Sequence, residues 1–177
     1  MKKIILGFVL GVGTIVVFAS AFIVAGGMPV ATRGNPLPLE RLIAKIALNA
    51  ALRGSDQLVA PFAANEAAYL AGAKVYRAQC AVCHSLPGES PGPIAQGLFP
   101  KPPRLFAEHH GVVGVSDDSA GETYWKVKNG IRLTGMPGFE KGLTDDEIWQ
   151  VSLLLKNADK LPKSVQDFLA AKIPASP

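Results

Sequence analysis

The sequence predicts an all-α protein, a mostly helical domain with long loops that follows an N-terminal transmembrane helix. Three observations predict it. Ile4 to Val24 is a run of 21 residues without a charge. Downstream, apolar residues recur at helical spacing. No stretch shows strand-like alternation, and no segment repeats.

About 20 apolar residues at 1.5 Å each cross a hydrocarbon core of about 30 Å, so Ile4–Val24 is long enough to span. Lys2 and Lys3 precede the run and should stay in the cytoplasm, which sends the rest outward. A cleaved signal peptide is the rival reading, with Ala19-Ser20-Ala21 as its small-residue cleavage site. Signal h-regions usually run only about 7–15 residues, and that favours an anchor over residues 1–27. Either reading exports the remainder.

Residues 28–65 form a second segment. Met28 to Pro38 carries three prolines and reads as an extended linker at the membrane surface. Leu39 to Arg53 reads as a helix with one polar stripe, Arg41, Lys45, Asn49 and Arg53, at four-residue steps. Leu39, Leu42, Ile43, Ile46, Ala47 and Ala50 cover most of the rest. Such a helix suits membrane lipid, with its basic side toward anionic headgroups. Packing on the following domain or on a partner subunit is the alternative.

The third segment, 66–177, carries the helical domain. Glu66 to Ala81 reads as a helix with a partly apolar face of Leu70, Ala73, Tyr76 and Arg77. Leu86 to Arg104 holds six prolines and three glycines and reads as a long loop. Glu122 to Asn129 is a short helix stopped by Gly130. The last helix opens on a capping box, Thr144-Asp145-Asp146-Glu147, and runs through Ile148, Val151, Ser152 and Leu155.

The net charge of +4 is unevenly placed. Lys2, Lys3, Arg33, Arg41, Lys45 and Arg53 face only Glu40 and Asp56 before residue 65, whereas twelve cations balance twelve carboxylates from Glu66 onward. A nucleic-acid module would need a basic patch on its folded part, so no nucleic-acid partner is expected.

Chemistry concentrates at Cys80-Ala81-Val82-Cys83-His84, the C-x-x-C-H haem attachment pattern. Two thiols one helical turn apart reach the two vinyl groups of one porphyrin, and the adjacent His84 is held beneath the iron. A thioredoxin-like pair would want a βαβ context and a low-pKa thiol at a helix start, but a helical segment precedes Cys80. Structural zinc would want two more ligands at suitable spacing, and the other histidines are only His109 and His110.

Beyond the linker the one methionine is Met136, in Gly135-Met136-Pro137-Gly138. A lone Met is usually a core gap-filler. One flanked by Gly, Pro and Gly in a polar loop is a better axial ligand, and a His/Met pair raises the reduction potential. His109 and His110 are the rival sixth ligands, although adjacent histidines beside Gly111 read more readily as solvated loop residues.

From Leu70 to the C-terminus the sequence resembles the class I cytochrome c family. Gly72 and Tyr76 resemble the Gly and aromatic positions of that family's first helix. Trp125 to Phe139 resembles the methionine-ligand loop of small bacterial members, and Leu143 to Leu155, with Trp149, their C-terminal helix. The resemblance implies a helical domain around one covalent haem, with first and last helices crossing beside it and Gly72 allowing close approach at Trp149. It also implies electron transfer. The histidine pair, the proline-rich Phe99–Arg104 segment and the membrane-proximal helix depart from the pattern.

The expected function is therefore single-electron transfer on the outer face of the cytoplasmic membrane, not enzymatic catalysis. Cys80 and Cys83 would hold the haem, and His84 and Met136 its iron. Redox protein partners are implied. A haem-bearing subunit of a larger oxidoreductase complex and a haem-based gas or redox sensor are the alternatives. Lys126, Lys128 and Arg132, just ahead of the Met136 loop, either form a solvated face or steer an acidic partner.

Overall fold

The chain divides into two units, Met1–Arg41 and the residues from Leu42 onward. The computed structural model describes residues 1–171. In the first unit the charge-free run folds as α1 (Lys2–Val24), with Gly26 turning the chain after it at φ 76°. The helix is long and apolar enough to cross a membrane, and none of its residues is buried. An irregular stretch then leads to α2 (Glu40–Ala51), whose Glu40 carboxylate reaches back to accept the Leu37 N–H at 2.8 Å.

In the second unit α3 (Glu66–Val75) starts where the Asn65 side chain accepts the Ala68 N–H at 3.0 Å, satisfying one of the orphan donors of the first turn. The expected unbroken helix to Ala81 is interrupted. Tyr76–Cys80 widens into a π-helical turn, and α4 (Ala81–His84) resumes the α-helix. Such single wide turns are frequent at functional sites, because they re-aim the residues that follow.

The long loop after His84 carries one short helix, α5 (Pro93–Gly97), opened by a proline whose missing N–H costs nothing there. Two short strands were not expected. β1 (Glu108–His109) and β2 (Val112–Val113) pair antiparallel across His110 and Gly111, both at positive φ, as a tight two-residue turn requires. Next comes α6 (Ala120–Asn129), capped by the Ser119 hydroxyl, which accepts the Glu122 N–H at 3.0 Å. At its start Gly121 lies so close to the 55–58 segment that a Cβ there would meet the Leu58 carbonyl oxygen at 2.7 Å.

The capping box opens α7 (Asp145–Lys156), with Thr144 and Glu147 bonded reciprocally as expected. It is not the last helix. A further one, α8 (Lys163–Ala170), buries Val165 and Leu169. Arg77 holds it in place: Nη1 donates to the carbonyls of Phe168 at 2.7 Å and Leu169 at 3.0 Å, satisfying acceptors that the helix end leaves open.

The core is centred on α7. Ile148, Val151, Ser152 and Leu154 are wholly buried, and the Ser152 hydroxyl is satisfied by the Ile148 carbonyl at 2.7 Å. α3 crosses α7 at Gly72, where a Cβ would meet the Gln150 carbonyl carbon at 2.6 Å. The close approach is therefore at Gln150, one residue beyond the expected Trp149. Trp149 turns the other way and stacks on Tyr124, with ring centroids 4.1 Å apart, which fastens α6 to α7.

Candidate functional site

Cys80 and Cys83 straddle the join between the π turn and α4, both half-buried and neither in a disulfide. Burial, with the neighbouring Cys83, pushes the Cys80 thiol up to about 12. A redox pair needs a thiolate near neutral pH, so this environment opposes the thioredoxin-like alternative. Nor do the described residues contain any group of three or more His, Cys, Asp or Glu able to hold a metal ion, as zinc would require.

His84 closes α4. Its Nδ1 lies 2.7 Å from the Pro103 carbonyl oxygen. A carbonyl can only accept, so Nδ1 carries the proton and Nε2 keeps the lone pair that a metal would use. Burial pushes the imidazole pKa down, opposed by the Pro103 carbonyl, and the ring is held neutral. The proline-rich segment that looked like a departure from the family pattern thus orients the histidine.

Sequence reading also missed the role of the Tyr76 hydroxyl. This side chain is wholly buried, edge-on to Phe106, and its hydroxyl donates to the Ser85 carbonyl at 2.6 Å. Ser85 follows His84 directly and has φ 63° and ψ 159°, a region otherwise almost confined to glycine. The bond fixes the exit of the attachment segment. Tyr76→Phe leaves that buried carbonyl unsatisfied and is expected to cost about 1–3 kcal/mol. Urea unfolding measures it, and an unchanged midpoint would show the bond to be dispensable.

Met136 sits on a loop tied at several points. The Ile131 N–H donates to the Met136 carbonyl at 3.1 Å, and the Met136 N–H to the Thr134 hydroxyl at 3.1 Å. That hydroxyl donates in turn to the Ile131 carbonyl at 2.7 Å. Beyond the loop, the Phe139 N–H returns to the Val127 carbonyl at 3.0 Å. The glycines explain the closeness: a Cβ on Gly130 would meet the Pro137 carbonyl carbon at 2.6 Å, and one on Gly138 the Asn129 carbonyl at 2.8 Å. The Met136 side chain is half-buried and packs against the same core cluster as Cys80 and Ala81.

The Leu86–Arg104 loop links the two motifs. α5 touches α4, Pro103 holds His84, and the Leu98 side chain covers Gly135. His109, at the end of β1, is exposed and borders a cleft with Pro103 and with Ala95 and Gln96 of α5, whereas His110 is an exposed residue of the β1–β2 turn. The basic cluster is also different from its appearance in the sequence. Lys126 pairs with Asp118 at 2.8 Å and Glu122 at 2.6 Å, and Lys128 with Asp145 at 2.9 Å. Burial alone would lower the Lys126 pKa, but its two carboxylates raise it on balance. Only Arg132 of the three is an exposed residue, which weakens the steering reading.

These residues fit a haem. Two free thiols one turn apart, an imidazole nitrogen with its lone pair available and a thioether on a fastened loop make up the donor set that a c-type haem uses. Among the described residues beyond 60, the large apolar side chains left exposed are Val82, Ile94 and Leu133, the last at 93%. They lie between the cysteines, on α5 and in the Met136 loop, where an apolar disc would cover exposed hydrocarbon.

The fold and this site define an electron-transferring cytochrome c domain, with haem as its cofactor. Residues 67–153 match the family described as cytochrome C oxidase, cbb3-type, subunit III, a class I cytochrome c domain. Among solved structures, a chain of the Kuenenia stuttgartiensis reducing HAO-like protein complex is similar, at 29% identity over 56% of this chain and with a TM-score of 0.45. This chain spans 47% of that one. Comparison with curated proteins gives no match.

Proposed function

We propose that the protein is a single-electron carrier, not an enzyme, with one covalently attached c-type haem on the outer face of a bacterial cytoplasmic membrane. The observation that carries this reading is the pairing, in one domain, of the Cys80–His84 attachment segment with the fastened Met136 loop. Cys80 and Cys83 would hold the haem through thioether links, and His84 Nε2 and the Met136 sulfur would bind its iron. The bound haem supplies the one-electron redox chemistry. The protein holds both ligands in place through Pro103, Thr134 and the backbone bonds of the Met136 loop. α1 anchors the chain, with Lys2 and Lys3 inside.

A second reading, a haem-bearing subunit of an oxidoreductase complex, draws support from the matched family's description as an oxidase subunit. Both readings require the thioethers. After expression with export and haem-ligation machinery, the denatured band should retain haem peroxidase staining, and Cys80→Ser with Cys83→Ser should abolish it. A wild-type band without stain would overturn covalent attachment. Co-purification of a stoichiometric membrane subunit would place the chain in a complex.

A further inference from the structure

We infer that α2 lies flat in the outer membrane surface and binds anionic headgroups, so that it docks the haem domain onto the bilayer that α1 crosses. The inference rests on the membrane anchoring proposed above. Leu42, Ile43 and Ile46 form an apolar stripe on α2 and are 53%, 62% and 60% exposed. The half-covered residues of this stretch, Leu48 and Leu52, lie roughly opposite that stripe, four residues apart. Among the described residues no helix of the second unit packs closely on α2, none of whose residues is buried, and the stripe is left open. This disfavours the alternative in which the stripe packs on the cytochrome domain.

Charge and connectivity decide what covers the stripe. Lys45 is exposed on one flank of it, Arg41 one turn earlier lies farther round toward Leu48, and Arg53 follows just past the helix end. Glu40, the one carboxylate of the helix, is engaged by the Leu37 N–H at 2.8 Å. Basic side chains beside an apolar stripe let the hydrocarbon enter the acyl boundary while the cations stay with phosphates. Only 15 residues separate α2 from α1, and at no more than about 3.6 Å each they keep the helix near the bilayer. A tether of this kind holds a segment at an effective concentration on the order of millimolar, so a short stripe suffices for binding. A protein subunit offers no comparable guarantee of proximity.

Hydrogen exchange on the full haem-loaded chain in lipid nanodiscs tests this. In discs containing phosphatidylglycerol, amides of residues 40–51 should exchange on the order of tenfold more slowly in wild type than in Ile43→Asp/Ile46→Asp, since the cations and the stripe act together. Ala44→Asp/Ala51→Asp, which adds the same charge away from the stripe, should retain most of the protection. Arg41→Glu/Lys45→Glu should remove the difference between phosphatidylglycerol and pure phosphatidylcholine discs. Equal exchange in wild type and Ile43→Asp/Ile46→Asp overturns the proposal, as does equal loss in both aspartate pairs. Protection that appears only with a co-purified subunit assigns the stripe to a protein instead. If the mature chain lacks α1 and stays out of the discs, the anchoring reading fails first, and that result is distinguishable.

Discussion

Met136→Ala is expected to lower the reduction potential by on the order of 0.2 V, a modest part of the range that axial ligands set. A thioether stabilises ferrous iron, and its loss removes that preference. The variant should still fold and keep its haem. Its backbone still accepts from Ile131 and donates to Thr134, and the Phe139–Val127 bond is untouched. The weak near-infrared band of the ferric form should vanish, and the vacated position should bind carbon monoxide. His109→Ala and His110→Ala should change neither property, because both are exposed residues of the β1–β2 hairpin. Redox titration with optical detection decides between these outcomes. An unchanged potential in Met136→Ala, with a shift in either histidine variant, would transfer the sixth position to histidine. If no variant moves it and native protein already binds carbon monoxide, the sensor reading replaces the carrier.

Gly72→Val carries the second large effect. The backbones of α3 and α7 meet there with no room for a side chain, since even a Cβ would lie 2.6 Å from the Gln150 carbonyl carbon and 3.0 Å from the Val151 nitrogen. Neither neighbour is a flexible tip that can swing aside, so the helices must separate. Overpacking typically costs about 1–3 kcal/mol, occasionally more, and a backbone-on-backbone crossing belongs at the upper end. Against a total stability of roughly 5–15 kcal/mol, the yield of folded protein should fall sharply. Thermal unfolding followed by circular dichroism measures the loss. Gly72→Ala should be intermediate, and a wild-type melting point for valine would mean that the crossing is not tight.

The sequence announced what depends on neighbours along the chain. Thr144 and Glu147 are three apart and bond as a capping box; Cys80, Cys83 and His84 lie within five residues; Gly130 ends α6. Contacts between distant residues were not legible. Lys126 and Lys128 looked like free charge, yet beside Glu122, a helical neighbour four residues back that the sequence does offer, the partners are Asp118, eight residues back, and Asp145, seventeen residues ahead. Pro103 offers a carbonyl to His84 across nineteen residues, and a proline-rich run gives no sign of such a role. α8 escaped notice because eight residues hold barely two turns of pattern, although Val165, Phe168 and Leu169 carry the right spacing. The crossing at Gly72 was anticipated but placed at Trp149, since a glycine shows that a backbone comes close without showing which residue meets it. The haem reading itself was confirmed at the level of the cytochrome c domain.

The ties around Met136 bear on how fast such a carrier can work. A metal–thioether bond is weak, and on a slack loop the sulfur would settle at a different distance in each oxidation state. Every electron arriving or leaving would then have to wait for the loop to shift. Here Thr134 locks the turn from inside, while Gly130 and Gly138 press its two ends against neighbouring backbone. If Met136 binds the iron as proposed, the protein rather than the iron would dictate where the sulfur stands. Ferric and ferrous forms would then share one geometry, and exchange with a partner would be limited by distance and encounter instead of by motion of the ligand.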